Sequence, residues 1–186
     1  MQLRLASRVL GAGDPAIWLT GPIDGAEDIP EGVDIVTSTR PELAEAGPAV
    51  AMTVPVPAYA APDLYVGDEL AEEAARAGSG LICRDPQRAL KAGVRPDGLI
   101  VDVGPRPSVR RIEEIAGDGL AVLVRLDDEP VREDPGRLAA ISVHAWLGVR
   151  VFAVTAPDVP AVRQVLDMVA AIKGDRPPKL SRRGLA

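Results

Sequence analysis

Eight short apolar runs, each closed by turn residues, limit what this chain can fold into. They are AIWLTG (16–21), VDIVT (33–37), AVAMTV (49–54), DLYVG (63–67), GLIC (80–83), GLIVDVG (98–104), LAVLVRL (120–126) and VRVFAVT (149–155). They are continuous rather than alternating, the pattern of strands covered on both faces in a parallel sheet. From the fourth run onward they alternate with helical patterns: DELAEEAARAG, DPQRALKAG, SVRRIEEIAG, DPGRLAAISVHAWLG and DVPAVRQVLDMVAAIKG. In the last, Val162, Val165, Leu166, Val169 and Ile172 form one face, with Asp158 as N-cap and Gly174 as the stop.

Strand–helix alternation with eight strands predicts an α/β fold, a reduced (β/α)8 TIM-like barrel. The 186 residues give about 23 per unit, below the ~25 of a minimal barrel, and the shortage is localised. RPELAEAGP and PVPAYAAP, between the second and fourth runs, are proline-rich and too short for full helices, so some outer helices should be missing there. The opening MQLRLASRVLGAGDPAIW reads as a hairpin leading into the first strand. Residues 1–174 are expected to form the barrel, and 175–186 a flexible basic tail.

Composition narrows the partners. A net charge of −6 disfavours nucleic acid, which needs a basic face. No apolar run approaches the ~18 residues of a membrane span, and the N-terminus lacks the apolar stretch and cleavage site of a secretory signal, so a cytoplasmic protein is expected. One cysteine, Cys83, rules out an internal disulfide or a multi-cysteine metal site.

In order and spacing the chain resembles the pterin-binding dihydropteroate synthases. EGVDIVTSTRPE is similar to the family's second-strand signature ending in Ser-Thr-Arg-Pro. DGLIVDVG resembles its sixth-strand IILDPGIG, LAVLVRLDDEP sits where the family has PVLVGLSRKS, and LGVRVFAVTAPDVPAVRQVLDMVAAI resembles its last strand and terminal helix. The N-terminal hairpin is also a family trait. The resemblance implies a pterin ligand, a place in folate metabolism, and dimers formed through late helices: a homodimer, or a mixed dimer with a true dihydropteroate synthase. It also makes Asp102 a relict pterin reader, and Ser38, Thr39 and Arg40 a relict of the loop covering the pterin and aminobenzoate side. A plain solvated loop is the competing reading of Ser38-Thr39-Arg40-Pro41.

The departures from the family are as informative. The polar residues it carries on its third and fourth strands are missing from AMTVPV and DLYVGD, and acids (Asp127, Asp128, Glu129) stand in its Ser-Arg-Lys motif. Its diphosphate-holding residues on the first and last strands correspond to Leu19 or Thr20, Ala153 and Thr155. Losing one preorganised donor typically costs about 3 kcal/mol, and a carboxylate about 4 Å from an incoming phosphate adds roughly 4 kcal/mol of repulsion at a dielectric near 20. The expectation is a catalytically inactive binding or regulatory paralogue, with a weakly active synthase as the alternative. No catalytic residue and no metal site is assigned. No cofactor is implied, and Mg²⁺ enters only if activity persists.

Other candidates have simpler readings. Asp68, Asp85, Asp102, Asp127 and Asp128 follow strand ends and could ring the mouth to hold Mg²⁺ or an amine, but solvated loop acids are the simpler account. His144 lies in a helix and Cys83 reads as a core residue. The DPG at 134–136 suits a helix start, with Asp134 as N-cap and Pro135 at the first turn.

Overall fold

The computed structural model describes residues 3–6, 8–10, 14–23, 25–56 and 61–174. The tail at 175–186 lies outside them, as does part of the connection PVPAYAAP. Eight parallel strands close into a barrel: β3 (Ala16–Pro22), β4 (Ile35–Thr37), β5 (Ala49–Met52), β6 (Leu64–Val66), β7 (Gly80–Cys83), β8 (Leu99–Asp102), β9 (Ala121–Arg125) and β10 (Val151–Val154). They follow one another around the ring, and β10 pairs with β3 to shut it. The expected reduced (β/α)8 barrel is the observed fold; each strand falls inside its apolar run except β3, which continues one residue further to Pro22.

Alternation of side chains sorts these strands into two cores. Trp18, Ile35, Ala51, Leu64, Ile82, Ile100, Leu123 and Ala153 point into the lumen. Ile17, Val36, Val50, Tyr65, Leu81, Val101, Val124 and Phe152 point outward under the helices. Cys83 belongs to this outer core, and burial, with Asp68, Asp85 and Asp102 nearby, pushes its thiol up to about 12. It is a packing residue.

A separate antiparallel hairpin, β1 (Leu3–Leu5) with β2 (Arg8–Leu10), closes the N-terminal end. Leu3 and Leu5 are fully buried in the lumen core. A Cβ on Gly80 would lie 2.7 Å from Leu5 Cδ2 and 2.9 Å from the Gly98 carbonyl, so glycine is what lets the plug approach β7.

The helical ring is uneven. Among the described residues β3 and β4 are followed only by 3-10 turns (Ala26–Asp28 and Pro41–Ala46); the second is the shortening expected of RPELAEAGP, the first was not expected, and PVPAYAAP after β5 lies partly outside the described residues. Arg8 of the hairpin hydrogen-bonds the Ala44 and Gly47 carbonyls at the end of the second turn. Full helices begin with α1 (Ala71–Ala77) and continue with α2 (Pro86–Ala92), α3 (Val109–Gly117), α4 (Pro135–Trp146) and α5 (Val159–Lys173). Asp134 caps α4 as expected, its carboxylate accepting from the amides of Gly136 and Arg137 at 2.8 and 3.2 Å.

Two details of α5 differ from the sequence reading. Asp158 stands at the N-cap position, but its buried carboxylate accepts from the Arg132 amide (3.1 Å) and the Thr155 hydroxyl (3.2 Å). It ties the β9–α4 connection to the start of α5 instead of capping it. Ile172 lies on the helical stripe but is exposed, because α5 outruns the barrel wall in its last turn. Gly174 ends the helix in the left-handed region, φ 78°.

Candidate ligand site at the barrel mouth

The C-terminal ends of the strands carry the side chains next in register above the lumen core, and that face is where a barrel of this kind builds its site. Asp102 ends β8 and Arg125 ends β9, each two residues after a lumen residue, Ile100 and Leu123. Both therefore turn inward, Arg125 one inward position beyond Leu123, the register partner of Asp102. Asp102 Oδ2 lies 3.6 Å from an Arg125 terminal nitrogen and 3.8 Å from Arg84 Nε, and Oδ1 accepts the Gly104 amide at 2.9 Å. Its side chain is 7% exposed, whereas that of Arg84 is 76% exposed.

Arg125 is the centre of the arrangement. It donates two bonds to Asp127, Nε to Oδ1 at 3.2 Å and a terminal nitrogen to Oδ2 at 2.6 Å, while its other terminal nitrogen faces Asp102. Its guanidinium carbon is 5.6 Å from the centroid of the Trp18 ring, and Trp18 Nε1 donates to the Thr37 hydroxyl at 2.9 Å. The chain Asp102–Arg125–Trp18–Thr37 thus runs from β8 through β9 and over β10 to β3 and β4. The small side chain of Ala153 on β10 leaves room for it. Burial pulls the Arg125 pKa down, but bonding and charge from Asp127 and Asp102 outweigh this and hold it above the ordinary arginine value.

A cavity of about 250 Å³ opens beside this group, walled by residues that include Asp68, Ile82, Cys83, Arg84, Asp102 and Arg125. The acids weighed as a ring, and read more simply as solvated loop residues, are engaged within the protein. Asp68 accepts the amides of Arg84 and Asp85 at 2.9 and 3.0 Å, Asp85 caps α2 through the Arg88 amide, and Asp128 pairs with Arg137 at 2.6 Å. Among the described residues no cluster of acids, histidine or cysteine is arranged to hold a metal ion.

The other sequence candidates stand apart from Asp102. Ser38 is buried, donating to the Ile23 carbonyl and accepting the Arg40 amide at 3.1 Å, so it shapes the loop after β4. Thr39 and Arg40 are exposed on that loop, and neither lines the cavity beside Asp102. Where the family carries its diphosphate-holding groups, Thr20 donates to the Val154 carbonyl at 3.4 Å, Ala153 is buried in the lumen and Thr155 bonds Asp158. A roomier cavity of about 440 Å³ lies outside the ring, between the β8–α3 and β9–α4 connections and α4. Arg137 and Arg106 on its walls both pair with Glu129, and burial lowers the pKa of His144 beside them.

Curated relatives and solved structures point in the same direction. The inactive dihydropteroate synthase 2 of Mycobacterium leprae is 35% identical over 119 residues, 54% of this chain and 40% of that protein. Its Mycobacterium tuberculosis namesake (strain H37Rv) is 33% identical over 119 residues, 54% of this chain and 37% of that protein. Dihydropteroate synthase structures superimpose well: that of Thermus thermophilus in complex with 6HMPPP has a TM-score of 0.71 at 22% identity, covering 92% of this chain and 100% of that one. The Yersinia pestis enzyme gives 0.72 at 14%, covering 94% and 99%. The chain is similar in fold to the dihydropteroate synthases and, over the matched residues, similar in sequence to the inactive mycobacterial proteins. It spans about two-fifths of the length of the curated relatives it matches. No protein-family model matches it.

Sequence reasoning missed Arg125. In the matched pattern PVLVGLSRKS it replaces the glycine, and its place two residues beyond Leu123 already assigned it to the lumen. That exchange was the available signal.

Proposed function

We propose that this is a dihydropteroate synthase-like protein without synthase activity, acting in folate metabolism as a binding or regulatory paralogue. The observation that carries the reading is the state of the mouth. Asp102, which the resemblance makes the pterin reader, is already engaged by Arg125, and the ends of β3 and β10 offer Thr20, Ala153 and Thr155 where a diphosphate needs cations. A leaving group of that charge gains nothing from hydroxyls already bonded to protein. Asp102, with Ser38, Thr39 and Arg40 on the loop after β4, is the relict ligand side. The inactive names of the mycobacterial relatives favour the same reading.

The test is direct. Purified protein incubated with hydroxymethyl-dihydropterin pyrophosphate, para-aminobenzoate and Mg²⁺ should form no dihydropteroate above background. Turnover that Asp102→Ala abolishes would overturn the reading.

A partner surface supports the regulatory half. Val143 and Trp146 lie one turn apart on α4, Met168 and Ile172 one turn apart on α5, and all four are exposed. The two helices pack together, and Lys173 Nζ lies 5.9 Å from the Trp146 ring. In this reading that pair of helices joins two copies, or one copy and an active synthase, in the cytoplasm. Among the described residues no helix is long and apolar enough to cross a membrane. Light scattering on the pure protein and co-purification with the synthase of the same cell separate the two assemblies. A monomer at micromolar concentration that recovers no synthase ends this part of the proposal.

A further inference from the structure

We propose that the barrel mouth is a guanidinium cage filled from within by Arg125, so that emptying it creates a binding site for small planar guanidine-bearing molecules. The inference rests on and deepens the non-catalytic reading, since the carboxylate at the mouth is already occupied in cis by Arg125. Its support is geometric. A guanidinium offers five N–H donors in one plane and an apolar face, and each feature meets a partner here. Asp127 takes one edge in two bonds of 3.2 and 2.6 Å, Asp102 faces the remaining nitrogen at 3.6 Å, and the Trp18 ring stands 5.6 Å away. That spacing lies within the range of cation–π contact.

The cage walls come from different elements, and two of the three, Asp102 and Trp18, are held without the arginine. Asp102 is fixed by the Gly104 amide at 2.9 Å and Trp18 by its bond to Thr37 at 2.9 Å. Arg84, the other cation near Asp102, is 76% exposed with its Nε at 3.8 Å, so water or a ligand can displace it. With Arg125 shortened, two carboxylates and an aromatic face would surround a space continuous with the 250 Å³ cavity that Asp102 and Arg125 already line. Asp68 and Glu69 on the far wall add to the cation preference.

Chemical complementation of Arg125→Ala tests this, with guanidinium and methylguanidinium chloride as probes at millimolar concentration, far below denaturing levels, against sodium chloride at the same ionic strength. The variant should bind guanidinium at least tenfold more tightly than the wild type, read by calorimetry and by a rise in its unfolding temperature. Adding Asp102→Asn should reduce that binding several-fold, and Trp18 fluorescence should report occupancy. Equal, weak responses from wild type and variant would refute the cage, as would binding that Asp102→Asn leaves unchanged. Arg125→Met, which keeps an apolar stem, serves if the alanine variant does not fold. Synthase turnover by the wild type would sink the non-catalytic reading while leaving this binding result intact, so the two failures are distinguishable.

Discussion

The ion pair between Asp102 and Arg125 has a measurable consequence for stability, independent of any ligand. Asn at position 102 keeps an oxygen for the Gly104 amide and removes only the charge, while Met at position 125 keeps the apolar stem. At 3.6 Å the bare attraction is about 4–5 kcal/mol at an effective dielectric near 20. Three features reduce it: desolvation of both groups, the 30% exposure of Arg125, and its retained bonds to Asp127. A double-mutant cycle should therefore give a coupling of about 1–2 kcal/mol.

The assay is urea unfolding of wild type, Asp102→Asn, Arg125→Met and the double variant, with unchanged m-values required before midpoints are converted to free energies. Asp102 is 7% exposed, so most of the coupling should survive at high salt. A coupling below about 0.3 kcal/mol, within the scatter of independent sites, would mean the carboxylate and guanidinium do not act on each other. The cage would then lose its basis.

Three further outcomes are expected. Gly80→Ala should destabilise by about 1–3 kcal/mol, because the new methyl meets a backbone carbonyl at 2.9 Å as well as Leu5; a neutral result in urea unfolding would show that the hairpin plug is not seated against β7. Cys83, with its thiol pushed up to about 12, should resist iodoacetamide at mildly alkaline pH in the native protein and react once unfolded; native labelling at the rate of a free thiol would contradict its burial. Burial lowers the His144 pKa from 6.5, so the unfolded chain binds the proton more readily. Stability should be full above 6.5 and fall as pH drops through that value toward the folded one, and His144→Gln should flatten this slope. An unchanged slope would assign it to other groups.

The architecture was more legible in the sequence than the mouth, for physical reasons. Strands buried on both faces must be apolar throughout, so VRVFAVT and GLIVDVG announce themselves, and proline-rich connections such as RPELAEAGP cannot hold a helix of useful length. Caps are local as well: Asp134, Pro135 and Gly136 carry their own geometry. Asp158 shows where locality stops, since a residue in the right place for a cap can be claimed by an amide from a distant loop, here that of Arg132. Ile172 teaches the same about helices, whose apolar stripe can continue past the wall it covers. Arg125 was hidden by its surroundings. Placed within LAVLVRL, it reads as an interruption in a strand, and attention to cations missing from known places passed over one that had arrived in a new place.

The position of Arg125 shows how such a barrel can carry new charge at its mouth without losing its closure. The lumen is layered: Leu3 and Leu5 plug one end, apolar residues such as Ile82, Ile100 and Leu123 fill the middle, and only the side chains at the strand C-termini face a ligand. The first two layers carry the burial that holds the ring shut. Change in the top layer leaves that burial untouched, provided each charge put there finds a partner, because an unpaired buried charge is strongly destabilising. Arg125 meets this condition through Asp127 and Asp102, and Asp102 meets it through Arg125. Without Arg125 the carboxylate would be left nearly buried, with only the exposed Arg84 at 3.8 Å and the Gly104 amide as partners. The arginine therefore fills part of the mouth and neutralises a carboxylate that would otherwise have only the exposed Arg84 as a counter-charge.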